Sequence, residues 1–288
     1  KRYYRMEDVD LARSYLGAMQ REILSCKGEY PGFEVRALDV GGGIAGHVAD
    51  EELGEVLKSA WDIFSFAPQA LLSLRVHPGM VSAATVEMCK RAGIGLLRVD
   101  YVTADLFEAE AAGRILPPSA MDVTHMVLKG SGLRLSFDLI LGLPGQSERS
   151  LSRTLDTVME YGADEIVLHL LDWRGTPFEE KAALYAESRS PRKSLPQEAQ
   201  REALLWQASK YLSSQGYRET LPGRFSSGEA DVWYSLEIKH TPLLGFGLGA
   251  KSRMDGFCSL NTEDMGIYLS GSPDPARLVQ VIWQDEKA

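Results

Sequence analysis

The chain has 288 residues and a formal net charge of −9, long enough to bury a large core as one β/α barrel or as a main domain with an appendage. The acidic balance, with no basic stripe, argues against a nucleic-acid binder, and no apolar run is long enough to span a bilayer. The cysteines, Cys26, Cys89 and Cys258, are far apart and odd in number; with no secretory apolar segment, that argues against a disulfide framework and suits a reducing cytoplasm.

Lys1 to Arg5 is a basic-aromatic opening. Glu7 and Asp8 head an amphipathic helix carrying Leu11, Tyr15, Met19 and Ile23 at helical spacing, broken by Pro31-Gly32. Phe33 to Val40 reads as a strand ending on Gly41-Gly42-Gly43, followed by a helix begun by Asp50, Glu51 and Glu52. Ala70 to Val76 is the next strand, closed by His77-Pro78-Gly79, with Ser82 capping the helix after it. Leu96 to Tyr101 is a third strand, then a short helix, Gly113-Arg114, and another helix between Pro118 and Gly130. Leu135 to Leu141 is a strand apolar enough to be buried on both faces, as in a parallel sheet. It stops on Gly142-Leu143-Pro144-Gly145, and Ser147 caps the next helix. Glu165 to Leu171 is a fifth strand. Strand and helix alternate with the period of a βα unit, roughly 30 residues. After Gly175-Thr176-Pro177 the pattern changes to a charged loop, a helix from Gln197 to Ser213, and an irregular remainder with a last strand near Val279 to Trp283. These elements predict an α/β fold, a barrel or open sheet over 1–178 with a smaller C-terminal α+β region, 179–288, completing the pocket.

Several positions could carry chemistry. The glycine triplet follows a strand, where bare backbone N–H groups can hold a carboxylate or phosphate; the alternative is a tight turn needing positive φ. No Lys-Ser/Thr ending follows, so it is not a phosphate P-loop. Arg114 could clamp a carboxylate with two parallel bonds, or be a solvated surface residue. Asp138 interrupts an apolar strand; a lone carboxylate there costs several kcal/mol unless paired, so it meets an Arg or points at a ligand. Asp39 and Asp100 share this property less cleanly. His169 and Asp172 lie near the mouth end of their strand, though a packed core imidazole is the plainer reading of His169. The five histidines show no ligand spacing, which argues against a protein-only zinc site, and the thiols read as apolar core residues.

Taken in order, Val40-Gly41-Gly42-Gly43, His77-Pro78-Gly79, Gly113-Arg114, Asp138 to Gln146, Gly175-Thr176-Pro177 and Gly245-Phe246-Gly247-Leu248-Gly249-Ala250 give a set that resembles the radical SAM superfamily, in the branch of oxygen-independent coproporphyrinogen III oxidase. Each motif alone is weak, but the ordered set covers nearly the whole chain. The resemblance implies a partial (β/α)6 barrel with a smaller C-terminal domain. It also implies S-adenosylmethionine (SAM) and a [4Fe-4S] cluster whose unique iron binds the methionyl amino and carboxylate groups, so that one electron yields a 5′-deoxyadenosyl radical. Carried over by position, Gly42 and Gly43 would hold the methionyl amino end with Gly41 beside them at the cofactor, Arg114 would face the carboxylate, and Asp138 would contact SAM from its strand. Asp172 would lie at the same mouth. Three positions depart from the family: Arg75 replaces a glutamate, Val102 a glutamine, and Ile44 a threonine. The CxxxCxxC cluster motif is absent, so cluster ligands are expected upstream of Lys1, and no metal ligand or catalytic side chain is named within the chain. The implied activities are oxidative decarboxylation, radical methylation, tetrapyrrole ring opening or cyclopropanation. A tetrapyrrole is the default small-molecule substrate, and a flavodoxin or ferredoxin the reductant. The alternatives are a non-catalytic haem-binding or haem-delivery protein of the same branch and an unrelated β/α-barrel enzyme.

Overall fold

The computed structural model describes residues 9–41, 50–114, 117, 119–172, 179, 195–228, 241–254, 256–270 and the strand 279–284. In chain order the elements are α1 (Val9–Ser25), β1 (Glu34–Val40), α2 (Asp50–Ile63), β2 (Ser65–Val76), α3 (Ala83–Ala92), β3 (Leu96–Val102), α4 (Leu106–Ala111), α5 (Ala120–Leu128), β4 (Arg134–Leu141), α6 (Glu148–Glu160) and β5 (Glu165–Leu170). There follow α7 (Glu198–Ser214), β6 (Arg218–Leu221), β7 (Arg224–Ser226), β8 (Lys251–Met254), β9 (Phe257–Asn261), α8 (Met265–Ser270) and β10 (Val279–Gln284). The alternation expected from β1 to β5 is therefore present. One strand is longer than expected: β2 starts at Ser65 and carries Pro68, which the apolar run from Ala70 did not signal. The domain boundary expected at 178–179 falls among residues outside the described set. Contacts divide the chain into two compact units, one comprising Lys1–Ser73, Glu87–Ile94 and Asp231–Ala288, the other Leu74–Val86 and Gly95–Ala230.

In the first unit, α1 packs against α2 and α8. Tyr15, Leu16 and Ile23 of α1 are buried, as its apolar spacing requires, and Leu53, Val56, Leu57 and Ala60 supply the facing stripe of α2. Asp50, Glu51 and Glu52 crowd the first turn of α2, where the helix dipole favours negative charge. β1 lies beside β2, and Asp39 accepts a hydrogen bond from Ser73 Oγ (2.6 Å). The C-terminal segment is more regular than its sequence suggested: β8, β9 and β10 form an antiparallel sheet in the order β10-β9-β8. The loop Gly245–Ala250 is tied to α1. Gly247 has φ +105, and a Cβ there would lie 2.5 Å from the Tyr15 hydroxyl, so only glycine fits.

In the second unit the strands run β3-β4-β5-β7-β6, with the end of β2 beside β3. β3, β4 and β5 are parallel, while β7 joins β5 antiparallel and β6 joins β7 the same way. Leu97, Val99, Phe137, Leu139, Leu141, Ile166 and Phe225 are buried and form its apolar core with Leu155, Val158, Leu204 and Leu212. Helix starts are capped as the sequence indicated. Ser147 accepts from Ser150 N in a capping box, and Ser82 accepts from Thr85 N (3.1 Å). Asp105 caps α4 by accepting from Phe107 N and Glu108 N.

Candidate functional site

The chemistry of the second unit follows from its register. Arg98 of β3 stands opposite Ser136 of β4, which stands opposite Glu165 of β5; the next row up is Asp100, Asp138 and Val167, and above it are Ile140 and His169. Because side chains alternate across a sheet, these residues share one face while Leu97, Val99, Phe137 and Ile166 take the other. One face is therefore polar even though the strands are buried on both. Two carboxylates, Asp100 and Asp138, sit directly opposite one another on adjacent strands, a pairing that is unfavourable unless cations intervene.

Cations do intervene, and they answer the question Asp138 posed. His169 Nε2 donates to Asp138 Oδ1 (3.1 Å). Arg98 Nη2 lies 4.0 Å from the same oxygen and Arg75 Nη2 lies 3.4 Å from Oδ2. The Arg75 contact is an ion pair without a hydrogen bond, since Asp138 Oδ2 and Arg75 Nε are both buried and make no hydrogen bond among the described residues. Burial alone would raise the Asp138 pKa; the His169 hydrogen bond and the charges of Arg98 and Arg75 outweigh it and hold the carboxyl below its ordinary value. Of the two readings of this acid, that it meets an arginine or points at a ligand, the first is what the structure shows. Arg75, at the position where the family has a glutamate, is one of the cations that match it.

The neighbouring acid has its own partners. Arg114 Nη2 donates to Asp100 Oδ2 at 2.6 Å, and His77 Nδ1 lies 3.4 Å from the same oxygen. Arg114 is neither fully solvated nor buried, and its guanidinium is steadied at the end of β3. His169, read from sequence as a packed core imidazole, is exposed at the end of β5; its ring lies along the Asp138 carboxylate instead of inside the core. Asp172 is exposed just beyond β5. Gly41 is half-buried at the end of β1, in the first unit. Gly42, Gly43 and Ile44 lie outside the described residues.

Below the mouth, the turn after β4 is locked by Gln146, which accepts from Gly142 N (2.7 Å) and donates to Ile140 O (3.0 Å). Gly142 takes φ +88, and a Cβ there would meet the Arg201 side chain at 2.8 Å. Sequence reading named the glycines of this turn but missed Gln146 as its clasp. Glu108 was missed as well: it is buried, accepts from Thr103 Oγ1 (2.7 Å), and its carboxyl is raised chiefly by burial. The only sequence signal for it was its place in the first turn of α4.

Val102 is in the left-handed region, φ +72, at a register shift between β3 and β4, and is the only non-glycine residue with positive φ among those described. A β-branched residue there is strained by about 1–3 kcal/mol. Its side chain is buried, so it presents no polar atom in place of the family's glutamine. Because glycine relieves the strain and alanine does not, Val102→Gly should be less destabilising than Val102→Ala by about 1 kcal/mol, the reverse of the usual order, as read from urea unfolding midpoints.

Cys26 and Cys89 are not reactive centres. Burial pushes Cys26 up to about 11 and Cys89 up to about 12, so neither offers a thiolate near neutral pH. Among the described residues no group of three His, Cys, Asp or Glu side chains could hold a metal ion, and no helix is long and apolar enough to cross a membrane.

No protein-family model matches the chain. It is 22% identical to the heme chaperone HemW of Bacillus subtilis over 278 residues, 93% of this chain and 70% of that protein. It is 20% identical to the oxygen-independent coproporphyrinogen III oxidase of Helicobacter pylori over 250 residues, 82% of this chain and 53% of that one. The solved coproporphyrinogen III oxidase (HemN) of Escherichia coli, described as a radical SAM enzyme, superposes with a TM-score of 0.76 at 20% identity, covering 94% of this chain and 64% of its own. The chain thus spans about half to two thirds of these oxidases. The match to HemN bears out the expected fold class, a mixed α/β fold on a parallel sheet of the radical SAM type. Ordered turns, sequence relatives and fold agree, and the chain is similar to radical SAM proteins of the branch that contains HemN-type coproporphyrinogen oxidases and HemW.

Proposed function

We propose that the chain is the SAM-binding barrel of a radical SAM enzyme that acts on a tetrapyrrole or another organic substrate, by oxidative decarboxylation or radical methylation. The observation that carries this reading is the charged face at the C-terminal ends of β3, β4 and β5. Open α/β sheets bind their ligands at those ends. SAM beside a reduced [4Fe-4S] cluster supplies one-electron hydrogen abstraction in this superfamily. Of the residues present, Arg114 suits the methionyl carboxylate: it is half-exposed, and Asp100 fixes one edge of its fork without covering it. Asp100 thereby orients the guanidinium, and the apolar side of the strands excludes water behind it. The sequence contains no CxxxCxxC, so in this reading the cluster ligands come from outside these 288 residues, and a flavodoxin- or ferredoxin-type protein supplies the electron.

A second reading, a haem-binding or haem-delivery protein, is favoured by the internal matching of Asp138, which leaves no spare negative charge for a sulfonium. Its match to HemW over most of the chain supports it too. Two measurements separate them. Thermal unfolding is followed with SAM and with haem; a ligand at 100 times its Kd adds about 2.7 kcal/mol of stability. The chain, together with the segment that in this reading carries the cluster ligands, is then reconstituted anaerobically with iron, sulfide, SAM and dithionite. Formation of 5′-deoxyadenosine is the expected result. Haem binding without SAM cleavage establishes the carrier, and a protein that binds neither ligand overturns both readings.

A further inference from the structure

The charges at the mouth of the second unit are layered. The acids lie beneath, with the Asp138 and Asp100 side chains only 5% and 15% exposed. Above them stand two basic side chains, Arg75 and His169, 35% and 50% exposed, with the acid Asp172 exposed just beyond β5. Around the single carboxylate of Asp138 stand two guanidiniums and one imidazole, so this cluster carries more positive than negative charge even with His169 neutral. Arg75 is the more loosely held of the two exposed basic groups. Its one ion pair is the 3.4 Å contact with Asp138, and its Nε is buried without a hydrogen-bond partner among the described residues. A guanidinium about a third exposed and not hydrogen-bonded to its acid, set beside an exposed imidazole over a buried counter-ion, is built to receive an oxyanion.

We infer that Arg75 and His169 form an oxyanion subsite, with Asp138 as the counter-ion that holds them in place, taking a carboxylate or phosphate group of a ligand. Asp138 positions the two basic groups and competes with the ligand for them. Arg114 belongs to a separate group, bound to Asp100, and takes no part. The subsite rests on this charge layering alone and stands whether or not the protein cleaves SAM.

The competition gives the test opposite signs that a purely structural role would not produce. The chain is titrated calorimetrically with citrate and, separately, with inorganic pyrophosphate, at fixed ionic strength in chloride. The unmodified protein should bind at least one of them; citrate alone marks a carboxylate ligand, and pyrophosphate alone a phosphate. Arg75→Gln should weaken binding about tenfold, the loss of one charge-assisted contact of about 1.4 kcal/mol. Asp138→Asn should strengthen it, because Arg75 is released. Lys129→Gln, the same change of charge at an exposed residue of this unit, should leave it unchanged. Circular dichroism checks the fold of each variant. Should Arg75→Gln not fold, His169→Gln at its exposed position takes its place, with a loss of about threefold or more expected. Failure of the unmodified protein to bind either anion, or equal binding by the Arg75 or His169 variant and Lys129→Gln, overturns the subsite.

Discussion

Glu165→Ala should destabilise the second unit by about 3–5 kcal/mol, the largest effect expected of any single substitution here. Glu165 and Arg224 are an ion pair with side chains 0% and 2% exposed, Arg224 Nη1 donating to Glu165 Oε2 at 2.5 Å across β5 and β7. Ser136 Oγ of β4 donates to the same oxygen (3.2 Å), so the acid joins three strands. Its removal takes the counter-charge from a guanidinium that is almost wholly buried. Replacing both partners, Glu165→Leu with Arg224→Met, removes the charge with its counter-charge and should recover most of the loss. Urea unfolding of the single and double variants measures this. A single variant losing less than about 1 kcal/mol would show that the pair is solvated.

The second large effect belongs to the first unit. Glu22 of α1 accepts from Asn261 Nδ2 (2.6 Å), Tyr268 OH (2.6 Å) and Gly247 N (2.9 Å), tying the helix to three places in the C-terminal segment. Glu22→Ala leaves those donors without their acceptor and should cost about 3 kcal/mol, since each buried donor left unmet costs about 1–3 kcal/mol and part of the loss relaxes. Burial raises the Glu22 carboxyl above its ordinary value, with the three donors pulling partly the other way. A carboxyl whose pKa is higher folded than unfolded contributes most below the unfolded value, and that contribution fades as pH rises through the folded one. The gap between the natural chain and Glu22→Ala should therefore widen on acidification from pH 7 to pH 4. A gap that narrows would contradict the assigned direction.

The β/α alternation was legible because each of β1 to β5 and the helices between them is long enough to show a period and ends on its own breaker or cap. β6, β7, β8 and β9 were not, since three to five residues are too few for a period. Asp138 could be singled out because a charge inside an apolar run is conspicuous. Its partners could not be found the same way. Arg75, Arg98 and His169 come from three other strands, and only the register brings them to one carboxylate. His169 was misread for the same reason: a histidine ending an apolar strand looks like core until the neighbour across the strand proves to be Ile140 and the acid two residues before it. The glycines of Gly245–Ala250 were visible as a motif, but the need for one at Gly247 comes from Tyr15, more than two hundred positions earlier in the chain.

Among the described residues the sheet of the second unit ends on β6, Arg218-Glu219-Thr220-Leu221, paired on one side to β7. Unpaired N–H and C=O groups on an outermost strand are a template on which foreign chains can stack. Here that rail is four residues long and opens with two exposed residues of opposite charge. A stranger docking there would gain few bonds and have to strip water from both an arginine and a glutamate. The short antiparallel turn-back that finishes the sheet therefore also guards the protein against self-association into aggregates.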